Sequence, residues 1–119
     1  MKVRVRNLDK ASIIDPAGDV DLYSSPRLRE ALLAEIKPNG PCVLVNMSGV
    51  SYIDSSGIAT LVEGLQLSRQ TKTRFGLFGL RPNARSVLEL ARLHKVFTIF
   101  EDEAEALEKI GSVQPFEGV

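Results

Sequence analysis

Valine alternates with charge at the start of the chain, where Val3 and Val5 sit between Lys2, Arg4 and Arg6. A period of two marks a strand with one buried face, and the polar stretch from Asn7 to Lys10 turns the chain into a second strand near Ser12 to Ala17. The two together predict an antiparallel hairpin. The period then lengthens. Ser25-Pro26 predicts a helix start, with Ser25 as cap and proline in the first turn, and Leu28, Ala31, Leu32 and Ile36 follow at helical spacing. Pro38-Asn39-Gly40 stops that helix.

From Pro41 onward short apolar runs alternate with longer helical stripes. Cys42 to Asn46 is expected as a buried strand, with the thiol of Cys42 as a small buried hydrophobe. Ile58, Leu61, Val62 and Leu65 define the inner face of a helix that runs to about Arg69. Arg74 to Leu80 is the next strand, with Gly76 and Gly79 as strand positions of close backbone contact. Pro82 opens a third helix with Ala84, Val87, Leu88 and Ala91 facing inward. Val96 to Phe100 supplies a last strand, and Asp102 with Glu105 makes a capping-box-like start for a fourth helix carrying Ala104, Leu107 and Ile110, which stops at Gly111. Strands joined by helices run parallel in one sheet, so the expected fold is α/β. It is a single domain over residues 1–111, a mixed sheet of an N-terminal antiparallel hairpin plus parallel strands, packed with about four helices. Residues 112–119 have little periodicity and are expected to form a flexible tail.

Composition narrows the function more than the fold. A hydrophobic share of 44% and a charged share of 25% are those of an ordinary globular protein. Lys plus Arg and Asp plus Glu are 15 each, so no net field draws the chain to nucleic acid or to an anionic membrane. The basic N-terminus has no apolar core, and no run approaches the ~18 apolar residues of a membrane span, which makes the cytoplasm the expected home, without membrane insertion. One Cys and one His cannot build a Cys/His zinc site within one chain.

In open α/β sheets, functional loops follow the carboxyl ends of the strands. Three such loops are expected, spanning 18–25, 47–54 and 80–83, and the middle one delivers Asp54-Ser55-Ser56-Gly57 to a helix start. The plain reading is that Asp54 or Ser55 caps the helix. The other is that Ser55 accepts a phosphate, held by free N–H groups of the helix start at little cost to the fold. Neither Gly-x-x-x-x-Gly-Lys-Ser/Thr nor Gly-x-Gly-x-x-Gly occurs, and the paired serines do not match a Gly-x-Ser-x-Gly elbow. His94, expected near the end of the third helix, reads as a surface or helix-end charge, not as a base. Asp19 and Asp21 are expected to form a turn, not a metal site. No cofactor, metal or catalytic group is expected.

Gly18-Asp19-Val20-Asp21, Val43-Leu44-Val45-Asn46 and Tyr52-Ile53-Asp54-Ser55-Ser56-Gly57-Ile58, taken in that order, resemble a STAS domain of the anti-sigma factor antagonist type over roughly Val3 to Ile110. The resemblance implies a non-enzymatic partner switch. Unphosphorylated, such a protein binds an anti-sigma factor that is also a serine protein kinase, and so frees a sigma factor. Phosphate on the first serine of the motif, Ser55, ends the interaction, and a metal-dependent PPM-type serine phosphatase removes it. Asp21, Ser24, Asn46, Asp54, Ser56 and Gly57 fall at or beneath the docking face, and the free protein is expected to be monomeric. STAS domains also serve as unphosphorylated subunits of constitutive assemblies, such as lipid-transport or stress-signalling complexes. That is the alternative reading, with a Ser55/His94 enzyme behind it.

Overall fold

The computed structural model describes residues 1–112, so nearly all of the segment expected as a tail lies outside the described residues. Strand β1 (Lys2–Asn7) pairs antiparallel with β2 (Ala11–Ala17), Val5 opposite Ile14. Strands β3 (Cys42–Asn46), β4 (Phe75–Phe78) and β5 (Ile99–Phe100) then add in parallel, giving one five-stranded sheet in the order β1-β2-β3-β4-β5. Pro16 lies within β2, an interior strand. It is tolerated because β3 pairs only as far as Ile14, leaving Pro16 beyond the ladder on that side.

Helices α1 (Ser25–Glu35), α2 (Ser55–Thr71) and α3 (Pro82–Leu90) share one core with Ile14, Val43, Val45, Phe75 and Leu77 on one face of the sheet. Helix α4 (Glu103–Lys109) and the turn at Ile110–Ser112 cover the other face, over Ile13, Leu44, Phe78 and Phe100. The alternation of faces along β2 and β3 is what feeds both cores. On the α4 side the sheet is left partly polar. There Arg6 spans Asp15 (Nε to Oδ2 2.6 Å, Nη2 to Oδ1 2.9 Å) and Glu103 (Nη2 to Oε1 2.7 Å), tying β1, β2 and α4 together.

Several expected details are corrected. Ser25 is the first residue of α1, not its cap; Ser24 stands at the cap position without a capping hydrogen bond, because its hydroxyl serves the preceding loop. Strand β4 stops at Phe78 because Gly79 is left-handed, with φ 73°, so Gly79 is not a strand residue. Strand β5 is short because Leu93 to Phe97 form a turn, with the N–H groups of Val96 and Phe97 both donating to the carbonyl of Leu93. Ala91 is exposed just past the end of α3. Ala104 is exposed and Ala106 is buried in its place, and Cys42 is only half-buried. Helix α2 extends beyond Arg69 to Thr71, where Lys72 closes it in the left-handed conformation at φ 56°.

Candidate functional site

Two of the loops at the carboxyl end of the sheet are zipped together. The N–H of Val20 donates to the carbonyl of Tyr52 at 2.9 Å, and the N–H of Asp54 returns to the carbonyl of Val20 at 3.1 Å. Lower down, Gly18, at φ 113°, donates to the carbonyl of Gly49 at 3.0 Å. The third loop joins through Asn83 at the start of α3, whose side-chain oxygen accepts the N–H of Ile53 at 3.0 Å. The backbone that leads into Ser55 is therefore fixed from both sides.

Helix α2 opens on Asp54, whose Oδ1 accepts from the N–H of Ser56 at 2.9 Å and of Gly57 at 3.2 Å, while its carbonyl accepts from Ile58. Of the two candidate caps, Asp54 is the one that acts. This narrows the expectation of free N–H groups waiting for a phosphate, because the carboxylate takes two of them, those of Ser56 and Gly57. Ser55, the first helical residue, is exposed, and Ser56 is half-buried with its carbonyl accepting from the hydroxyl of Thr60 at 3.0 Å. Gly57 is buried, and a methyl group in place of its hydrogen would sit 2.5 Å from Cγ1 of Ile53 and 2.7 Å from Cγ1 of Val20. It offers a partner no side chain. Its part is to let the helix start approach the neighbouring loop.

Asp21 and Ser24 close a second tight turn. Oδ1 of Asp21 accepts from the backbone N–H groups of Tyr23 and Ser24, each at 3.0 Å, and the Ser24 hydroxyl donates to the carbonyl of Asp19 at 2.7 Å and accepts from the N–H of Asp21 at 2.9 Å. The hydrogen bond from the Ser24 backbone, then that from its hydroxyl, hold the Asp21 carboxyl below the usual carboxylate range. The expected turn role of Asp19 and Asp21 is what the geometry shows, since Asp19 also accepts from the Ser51 hydroxyl at 3.1 Å. Among the described residues there is no group of three or more His, Cys, Asp or Glu suited to a metal ion.

Asn46 lies beneath this face. Its Nδ2 donates to Asp15 at 2.9 Å and its Oδ1 accepts from the N–H and hydroxyl of Ser48, so it braces the loop from below. His94 is half-buried in the turn that precedes β5, at the opposite end of the sheet from Ser55, and its buried Nδ1 has no partner among the described residues. Among the described residues no serine partners that nitrogen.

The connecting role of Asn83 is not foreseen from the sequence, nor is any role for three exposed apolar side chains on the zipped loops, Leu22, Tyr23 and Tyr52. Large apolar residues inside otherwise polar loops were the available signal. Two clefts lie away from these side chains. One of about 530 Å³ is lined by Lys2, Arg4, Asp15, Arg27, Asn46 and Ser48 together with neighbouring residues, and another of about 310 Å³ lies between Asn46 and Glu103. No described helix is long and apolar enough to cross a membrane.

Comparison with known proteins places this geometry. An anti-sigma-B factor antagonist of Listeria monocytogenes is 29% identical over 105 residues, covering 88% of this chain and 91% of that protein. Among solved structures, an anti-sigma factor antagonist from Mycobacterium paratuberculosis superposes with a TM-score of 0.83 at 24% identity, covering 92% of this chain and 93% of the other. The phosphorylated form of the Bacillus cell-fate determinant SpoIIAA superposes with a TM-score of 0.72 at 18% identity, covering 92% and 99%. The model of the STAS domain matches residues 2–106, and the chain belongs to that family.

Proposed function

We propose that this chain is an anti-sigma factor antagonist, a partner switch that binds an anti-sigma factor with serine kinase activity and lets it go once Ser55 is phosphorylated. The observation that carries this reading is the exposed Ser55 hydroxyl at the first position of α2, behind an aspartate that already caps the helix. The names of the similar proteins support the same role. In the switching step the Ser55 oxygen attacks the γ-phosphorus of ATP, the bond to the β-phosphate bridging oxygen breaks, and ADP leaves. The hydroxyl proton passes to a base on the kinase. A PPM-type phosphatase hydrolyses the phosphoester and resets the switch.

Asp54 shapes the outcome. Because its carboxylate occupies the N–H groups of Ser56 and Gly57, a phosphate on Ser55 is not drawn inward and stands in solvent, where a partner would meet it. It brings about −1.5 to −2 charge units to that spot. Ser56, half-buried at the loop edge, supports the helix start and is not the acceptor. Incubation with the cognate kinase and Mg-ATP, followed by phosphopeptide mapping, is expected to place one phosphate on Ser55. Label on Ser56, or label persisting in Ser55→Ala, would reject the assignment.

A further inference from the structure

Exposed aliphatic and aromatic side chains are unevenly spread, and three of the largest stand on the two loops that frame Ser55: Leu22 is 65% exposed, Tyr23 89% and Tyr52 47%. Isolated surface leucines need no explanation, but three large apolar side chains exposed on two hydrogen-bonded loops do. We infer that Leu22, Tyr23 and Tyr52 are the apolar anchors by which this domain grips its protein partner, and that they set affinity separately from the charge switch at Ser55. The inference rests on the partner-switch reading given above.

Position comes first. Tyr52 precedes Ser55 by three residues, so their Cα atoms lie within about 11 Å. Tyr23 follows Val20 by three residues, and Val20 is itself bonded to the backbone of Tyr52 and Asp54. A partner that docks over the Ser55 hydroxyl therefore meets the two loops that carry these side chains. Rigidity comes second. The Asp21 carboxylate holds the N–H of Tyr23, so the loop that presents Leu22 and Tyr23 is ordered before any partner arrives, and less freedom is lost on binding. Tyrosine is the residue type most suited to such an anchor, with a large apolar ring and a polar tip.

The shape selects the occupant. These side chains protrude and line none of the clefts described above, so they fit a concave socket and cannot enclose a small molecule. A second copy suits them poorly, since charged groups stand among the apolar ones in its clefts: Lys2, Arg4, Asp15 and Arg27 in one, Arg27 and Glu30 beside Val3 and Val5 in another. An anionic bilayer or nucleic acid would meet Asp19 and Asp54 in the same loops. The remaining fit is a folded protein with an apolar socket beside the groove that receives Ser55.

The test uses the kinase that labels Ser55 in the mapping experiment. Calorimetric titration against the unphosphorylated full-length chain is expected to show Tyr23→Ala and Tyr52→Ala each weakening binding by roughly tenfold or more. Tyr23→Phe should recover most of the loss, and Leu90→Ala, which removes a leucine that is 86% exposed outside these loops, should stay within about twofold. Melting temperatures should match throughout. Unchanged affinity in both tyrosine variants, with Ser55 still labelled at the normal rate, overturns the anchors and leaves the switch standing. If no kinase labels Ser55 at all, both fall together.

Discussion

At the scale of single residues, Gly57 and Asp54 do more for the helix start than the serines between them. A β-carbon at Gly57 would press on Ile53 and Val20, both buried, so Gly57→Val is expected to destabilise the fold by about 1–3 kcal/mol. Ser55→Ala, at an exposed position with no side-chain partner shown, is expected to stay within about 0.5 kcal/mol. Thermal melts of the two variants give the order directly; a larger loss in Ser55→Ala would make that serine a structural cap. Asp54→Ala should cost about 1 kcal/mol as a lost cap, and Asp54→Asn much less, because asparagine caps nearly as well. The Asn variant also isolates charge. With phosphoserine incorporated at position 55, removal of the neighbouring carboxylate is expected to lower the second pKa of the phosphate in a ³¹P titration, since a like charge disfavours the dianion. An unchanged titration would mean that the phosphate does not sense Asp54.

At the scale of elements, the sheet's polar side turns on Arg6, whose guanidinium joins β1, β2 and α4 through Asp15 and Glu103. Burial pushes the Asp15 carboxyl up, but hydrogen bonds from Arg6 and Asn46 and the charges of Arg6 and Arg4 outweigh it, and the group ends below its ordinary value. Arg6 in turn is raised. A carboxyl with a depressed folded pKa contributes stability that is fully present above its unfolded value of about 3.9 and is lost as pH falls through the folded value. Denaturant melts of the wild type should therefore weaken below about pH 4, and Asp15→Asn should show a shallower acid limb while being less stable at pH 7. Equal slopes would remove Asp15 from the acid transition. Arg6→Ala is expected to cost about 1.5–3 kcal/mol, as a charged hydrogen-bond donor withdrawn from a half-buried acid.

The elements themselves were legible in the sequence wherever period and punctuation agreed. Val3 and Val5 between charges, the Leu28-Leu32-Ile36 stripe, and Asp102 three residues before Glu105 each gave the element that is observed. Where the sequence misled, tertiary contacts decided. Val96 to Phe100 has strand composition, yet Phe97 is used to plug the core against Phe75, and the chain turns there instead of pairing. Ser25 has the right chemistry for a cap, but Ser24 and Asp21 close the loop one residue earlier. The Asp54-Ser55-Ser56-Gly57 motif was readable as a helix start. That the N–H groups of Ser56 and Gly57 are already taken by Asp54, and that Asn83 locks the loop from a distant helix, depends on three-dimensional approach that no local pattern encodes.

At the scale of the molecule, the proposed switch keeps binding and folding separable, because Ser55 is exposed while Ile53 and Gly57, which support its loop, are buried. In the free domain a phosphate at Ser55 meets Asp54 across solvent and gains little from the occupied helix end, each effect being on the order of 1 kcal/mol. In the proposed complex the same group would be partly desolvated, and one acidic partner group at about 6 Å would oppose each charge unit by roughly 3 kcal/mol at an effective dielectric of ~20. About 4 kcal/mol is a thousandfold in affinity. Ser55→Asp, with one charge and a shorter reach, is expected to mimic the effect in part, and Ser55→Ala to bind without regulation.

The most direct measurement is calorimetric titration of the proposed kinase partner with unmodified and Ser55-phosphorylated protein, run beside thermal melts of both forms. Affinity is expected to fall by two to three orders of magnitude on phosphorylation, as roughly 3–4 kcal/mol implies, with the melting temperature nearly unchanged. Equal affinities, or a phosphorylated domain that melts many degrees lower, would contradict it.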